Sequence, residues 1–136
     1  GVLETIIELP DKRPVLLLAT HLDHRRPDRE RIASAKFING LLVNRNPMPA
    51  ILAGDLNDVS GSSTLKELGK LWARTNLKIA PTVPVTKPLR QIDFILTRPA
   101  ARWKVIETKV LGEAVASDHR AIFAVIELIE LIELID

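Results

Sequence analysis

Apolar residues along the chain group into two kinds of run. Residues 2–9 and 15–20 are short Val-, Ile- and Leu-rich stretches separated by turn formers, the first a strand candidate and the second a nearly continuous apolar strand. Asp11-Lys12-Arg13-Pro14 between them supplies turn chemistry, so a hairpin is expected. From Pro27-Asp28 the period changes: Ile32, Ala35, Ile38, Leu41 and Leu42 recur at three- and four-residue spacing, while Arg29, Glu30, Lys36 and Asn39 point elsewhere. This predicts an amphipathic helix over about 28–44, ended by Asn44, Asn46, Pro47 and Pro49. Residues 51–53 form the next expected strand, and Ser62 or Ser63 caps a short helix running through Leu71. Pro81, Pro84 and Pro88 mark an extended loop, and residues 92–97, 103–111 and 121–128 read as three further strands. Interleaved strands and helices of this kind predict an α/β (α+β) unit, a mixed β-sheet flanked by helices.

Composition narrows the picture. A chain of 136 residues that is 46% hydrophobic has material for one core, so a single unit or part of one is expected. The absence of Cys removes disulfides, thiolate metal sites and Cys nucleophiles, and leaves the compartment open. A formal charge of +2, from 19 basic and 17 acidic residues, gives slight support to an anionic partner and no nucleic-acid footprint. With no Tyr and 4% aromatics there are few platforms for stacking bases, so nucleic acid is an unsupported partner. No apolar run reaches the roughly 18–20 residues a membrane span needs, and no signal peptide is apparent, so the chain is expected to be soluble.

The candidate chemistry lies at the ends of the apolar runs. Gly54-Asp55-Leu56-Asn57 follows a strand, where a carboxylate suits a hard cation and an amide suits a phosphoryl oxygen, although Asp and Asn beside Gly also simply form turns. Ser117-Asp118-His119 precedes a strand and joins a metal-ligand type to an acid–base type; a capped loop explains it equally well. Asp93 stands inside the apolar segment Gln91-Ile92-Asp93-Phe94-Ile95, where a charge is costly without a partner, and a histidine is the obvious one. His21 ends the second strand, a place more often held by a hydrogen-bonded rim residue than by a catalyst.

Thr20-His21-Leu22, Gly54-Asp55-Leu56-Asn57, Ile92-Asp93-Phe94-Ile95 and Ser117-Asp118-His119, in that order, resemble the later half of the endonuclease/exonuclease/phosphatase superfamily related to deoxyribonuclease I. The resemblance covers about residues 2–128. It implies a divalent-metal-dependent phosphoesterase acting on phosphodiester or phosphomonoester bonds, with the substrate class unknown. It also implies roles: Asp55 and Asn57 for phosphate and attacking water, Asp55 and Asp118 for the metal, and His119 as general base or acid. Asp93 would orient the His119 imidazole, and His21 would contact the phosphate or leaving group. Carboxylate and amide oxygens suit Mg2+ or Mn2+, and three His without Cys make zinc a poor fit. His21-Leu22-Asp23-His24 is also similar to part of the zinc motif of metallo-beta-lactamase-type hydrolases, but Ala19 replaces its first histidine and no further ligand set can be assembled.

The superfamily's earlier half contributes an asparagine and a principal metal-binding glutamate, and Glu4 and Glu8 stand in no motif resembling that glutamate. The chain is therefore expected to be the C-terminal half of such a domain over 1–128, half of a four-layer sandwich with one sheet face bare, followed by a repetitive tail over 129–136. A bare apolar face is expected to promote self-association or capture of a complementing chain. A catalytically inactive half-domain that only associates is the alternative. Arg25, Arg26, Arg29 and Arg31 are read as solvated residues at a helix start. The tail's repeated Glu-Leu-Ile triplet matches neither the strand nor the helix period.

Overall fold

The computed structural model describes residues 1–43, 45 and 48–130. Asn44, Asn46 and Pro47 of the expected helix stop, and residues 131–136 of the repetitive tail, lie outside the described residues. In chain order the elements are β1 (Val2–Glu8), β2 (Pro14–His21), α1 (Arg29–Val43), β3 (Ala50–Asp55), α2 (Ser63–Leu68), β4 (Ala73–Arg74), β5 (Asp93–Arg98), β6 (Trp103–Val110) and β7 (Ile122–Leu128). The expected hairpin is β1–β2, antiparallel across a turn in which Lys12 takes φ 71° and Asp11 accepts from the Arg13 backbone N–H at 3.1 Å.

Strands β1-β2-β3-β5-β4 form one mixed sheet, in which β2–β3 is parallel and the other pairs are antiparallel. The crossover from β2 to β3 is α1, as a parallel pair requires. Strands β6 and β7 pair only with each other among the described residues, so the last two expected strands do not extend the main sheet. The two-residue β4 was not legible: two residues carry no periodicity.

Pairing register sorts the main sheet into two faces, because side chains alternate along a strand and paired residues share a side. Leu16, Leu18, Ala50, Leu52, Phe94 and Leu96 share one face, and all are at most 2% exposed. They pack with Ala35, Ile38 and Leu42 of α1 and Leu65 and Leu68 of α2 into the core. The opposite face carries Leu17, Ala19, Ile51, Ala53 and Ile95, none of them fully buried, and extends onto Leu3 and Ile7 of β1, 72% and 40% exposed. The sheet is thus covered by helices on one side, and the other side is open except where Val15 and Thr97, 1% and 2% exposed, are buried on it. No helix among the described residues is long and apolar enough to cross a membrane.

Helix α1 begins where Asp28 accepts the Ile32 N–H at 2.9 Å. Two of its polar residues face inward, against expectation. Asn39, 7% exposed, donates Nδ2–H to the Glu67 carbonyl at 2.7 Å and accepts the Trp72 indole N–H at 3.1 Å. Trp72 brings a polar atom into the core, and Asn39 satisfies it. Asn39→Ala leaves the indole N–H and the Glu67 carbonyl without these partners and is expected to cost about 1–3 kcal/mol, read from the urea midpoint. Arg31 is the second such residue, 6% exposed, and belongs to the loops described below.

Helix α2 starts at Ser62, whose hydroxyl accepts the Leu65 N–H, and stops at Leu68 with Gly69 as its C-cap rather than running to Leu71. Turn bonds from Leu71 and Trp72 back to Leu68 then swing the chain so that Trp72 enters the core. The described start of the tail continues the β6–β7 ladder: the Ile129 N–H donates to the Arg102 carbonyl and the Arg102 Nε–H to the Ile129 carbonyl, each at 2.9 Å.

Candidate active site

Three strands in register build the floor of the site. His21 pairs with Asp55 across the parallel β2–β3 ladder, and Asp55 pairs with Asp93 across the antiparallel β3–β5 ladder. All three therefore share the open face at one end of the sheet. His21 Nε2 lies 3.3 Å from Asp55 Oδ2, with the imidazole 73% and the carboxylate 16% exposed. Backbone bonds carry the alignment past the strand ends: Leu22 N–H to the Asp55 carbonyl at 2.9 Å, and Leu56 N–H to the Ile92 carbonyl at 2.8 Å.

His119 reaches the same place from the turn before β7. Its Nδ1 lies 2.9 Å from Asp93 Oδ2, and its Nε2 lies 3.9 Å from Asp55 Oδ2. The turn is set by Ser117, whose hydroxyl accepts the His119 N–H at 3.1 Å. Partial burial works to lower the imidazole pKa, but the hydrogen bond and charge of Asp93, with the charges of Asp55 and Asp118, outweigh it and hold the pKa above its ordinary value. The expected partner of Asp93 is thus present, and its carboxylate also accepts the Thr82 hydroxyl at 2.5 Å.

Asn57 sits in the left-handed region, φ 49°, which Asn tolerates. Its N–H donates to Asp55 Oδ1 at 2.8 Å and its Nδ2–H to the Leu22 carbonyl at 2.9 Å, joining the loop after β3 to the loop after β2. Asp118 is exposed, with its carboxylate 3.4 Å from the Ser117 hydroxyl. Among the described residues, one group offers clustered donors to a cation: Asp55, Asp93 and His119, within 4.8 Å of one another. Asp118 lies outside that group, and Asp93 within it is already bonded to His119 and Thr82.

The loops behind the site are fastened by Arg31, which is not the solvated residue expected at a helix start. Its guanidinium donates to Asp58 Oδ2 at 3.1 Å, the Asp23 carbonyl at 3.1 Å and the Arg25 carbonyl at 2.5 Å. Burial works to raise the Asp58 pKa, but bonds from Thr64 and Arg31 outweigh it and lower the value. In the sequence Arg31 reads as solvated, and Asp58, Thr64 and Thr82 were missed, because an Arg or a Thr in a polar stretch carries no mark of its partners; Ser117 fills the capped-loop reading of its motif.

The residues converge on a cleft of about 300 Å³, walled by Ala53, Ile95, Arg120 and Ile122 beside Asp55, Asp93 and His119. A neighbouring cleft of about 320 Å³ shares Ile95 and Ile122, but its polar wall is Asn76 and Gln91 bonded to each other together with Lys78 and Lys109, and its lining has no carboxylate or imidazole. The first cleft holds a carboxylate–imidazole pair and a second carboxylate, Asp55, which His21 meets at 3.3 Å. Such a set can move a proton to or from a bound molecule and hold a cation or a hydrogen-bonding anion.

The model of the Endonuclease/Exonuclease/phosphatase family matches residues 2–119. No curated protein matches the chain. Among solved structures, a functionally unknown conserved protein from Enterococcus faecalis V583 superposes with TM-score 0.80 at 24% identity, covering 93% of this chain and 56% of that one. A mannosyl-6-phosphatase of Bacteroides thetaiotaomicron VPI-5482 gives TM-score 0.65 at 22% identity, covering 86% and 52%. TDP2 of D. rerio, complexed with single strand DNA product, gives 0.73 at 14% identity, covering 93% and 61%. At these identities the likeness is one of fold, and the chain spans a little over half the length of these neighbours.

Proposed function

The chain belongs to the endonuclease/exonuclease/phosphatase family, and we propose that residues 1–128 are the C-terminal half of a divalent-metal-dependent phosphoesterase domain, with 129–136 a repetitive tail. The observation that carries this is the convergence of His21, Asp55, Asp93 and His119, from four separated segments, on one end of the open sheet face.

Hydrolysis of a phosphoester needs a base for water, an acid for the leaving oxygen and positive charge for the phosphoryl oxygens. His119 is the proton carrier. Asp93, bonded to its Nδ1, directs Nε2 into the cleft and stabilises the imidazolium that forms when His119 takes the water's proton. His21, exposed beside Asp55, contacts the phosphate or the leaving group; the family resemblance gives Asp55 and Asn57 the phosphate and attacking water, although the Asn57 amide is bonded to the Leu22 carbonyl in this structure. Asp55, which belongs to the clustered donors, would hold the cation, with Asp118, exposed and outside that cluster, as the second ligand the family resemblance implies. Their hard carboxylate oxygens, in a chain without Cys, fit Mg2+ or Mn2+ rather than zinc. When bound, that ion supplies charge neutralisation at the phosphoryl oxygens. Among the neighbours, one is named a mannosyl-6-phosphatase and another is complexed with single strand DNA product, and a sugar phosphate and DNA have the phosphoester in common. That class is the substrate proposed, without choosing sugar, lipid or nucleic acid.

A second reading rests on the open face. Leu3 and Ile7 are exposed there, and the chain spans about half of its neighbours' length, which supports an incomplete half-domain that associates with itself or a complementing chain and does no chemistry. Titration of Mg2+ or Mn2+ into the chain, while following a bis-aryl phosphodiester, separates the two. Ion binding that perturbs Asp55 and Asp118, with turnover alone or after complementation, is expected. Neither binding nor turnover leaves the second reading standing.

A further inference from the structure

The Pro-rich segment between β4 and β5 sends one fully buried hydroxyl, that of Thr82, to the pair described above. Thr82 Oγ1 donates to Asp93 Oδ2 at 2.5 Å, the same oxygen that meets His119 Nδ1 at 2.9 Å. The Ile92 N–H approaches that hydroxyl oxygen at 3.4 Å, so the hydroxyl accepts on one side and its proton is directed to the carboxylate on the other. The Thr82 carbonyl accepts the Arg120 N–H at 2.9 Å, immediately after His119. Asp93 begins a strand of the main sheet, whereas His119 precedes a strand of the separate β6–β7 pair, and among the described residues no ladder joins them. Thr82 therefore grips both partners, by its side chain on one and its backbone on the other. Val85 reinforces the grip: its N–H donates to the Asp118 carbonyl at 3.1 Å, and its carbonyl accepts Arg120 Nε–H at 2.8 Å.

We propose that Thr82 is a positioning residue for proton transfer, fixing the Asp93 carboxylate so that Oδ2 faces His119 and seating the His119 turn against it. This rests on the reading of Asp93–His119 as the proton-transfer pair. A purely space-filling Thr82 makes the opposite prediction for two conservative variants. Thr82→Val preserves shape and backbone bonds but removes the hydroxyl; Thr82→Ser preserves the hydroxyl but opens a methyl-sized gap.

The test uses the full chain and reads the His119 ring nitrogens by NMR, with phosphodiester turnover in Mg2+ or Mn2+ as a second arm. Thr82→Val is expected to shift the His119 nitrogens toward a mixture of ring states, with the backbone amide spectrum otherwise kept, and to lower kcat about tenfold at unchanged KM. Thr82→Ser is expected to retain the wild-type ring signals and rate. His119 signals in Thr82→Val that superimpose on wild type, or a Ser variant as perturbed as the Val variant, overturn the proposal. If Thr82→Val moves the ring signals while Asp93→Asn leaves turnover intact, the positioning stands and the catalytic reading of the pair falls. In a sample without turnover, the ring signals alone decide.

Discussion

Gly54→Ala is expected to destabilise the fold by about 3 kcal/mol or more, because the added carbon has nowhere to go. Gly54 has φ +152°, and a Cβ built on it would lie 1.8 Å from the Thr20 carbonyl oxygen and 2.9 Å from the Thr20 carbonyl carbon. The obstacle is the backbone of the adjacent, register-paired strand, not the tip of a flexible side chain. Relief requires β2 and β3 to separate one residue before His21 and Asp55, so the 3.3 Å contact between those side chains should open in any molecules that remain folded. Urea unfolding of the variant gives the cost, and a midpoint equal to wild type would refute the clash. Gly40→Ala is the control: nothing lies within 4 Å of its Cβ, and it sits in a helix, so it should be neutral or stabilising by up to about 1 kcal/mol.

Asp93→Asn is expected to lower turnover by about 10²–10⁴-fold, the span a positioned acid–base group contributes, with a smaller effect on substrate binding. The measurement requires an assembly of this chain that turns over a phosphodiester. An Asn side chain in that place removes the charge that favours the imidazolium, so the His119 pKa should fall toward and below the usual imidazole value of about 6.5. A base must be neutral to act, so turnover in the parent should rise with pH through the raised His119 pKa. In the variant the residual activity should begin its rise at lower pH. The stability sign is the reverse. A raised histidine pKa contributes stability fully present below about pH 6.5, the unfolded value, and lost as pH climbs through the folded value. Asp93→Asn should flatten that slope. NMR titration of His119 checks both statements, and an unchanged His119 curve in the variant would remove Asp93 as its partner.

How much was legible in the sequence follows from which interactions are local. The runs at 2–9, 15–20 and 121–128 declared themselves as strands by apolar, β-branched content between turn formers, although β1 proved mostly exposed, and the spacing in α1 declared a helix because one of its faces is buried. The motifs at His21, Asp55, Asp93 and His119 stood out because each places a polar group at the edge of, or inside, an apolar run. What could not be read were partnerships between distant segments. Asn39 looked like a solvent-facing helix residue until Trp72, 33 positions away, brought it an indole N–H. Arg31 looked like one of a solvated series until Asp58 and two loop carbonyls enclosed it. Thr82 carried no mark, since its importance depends on Asp93 and the His119 turn arriving on either side. The split into a five-stranded sheet and a separate pair was equally hidden, because a strand's own sequence does not specify which edge it joins. By itself, then, the sequence determined the elements and the chemical types at their ends, since these depend on short-range burial and turn preference. Only the tertiary structure decided that His21, Asp55 and Asp93 stand side by side on the open face, because a one-residue slip in either ladder would turn a carboxylate into the core and leave the other chemistry unchanged.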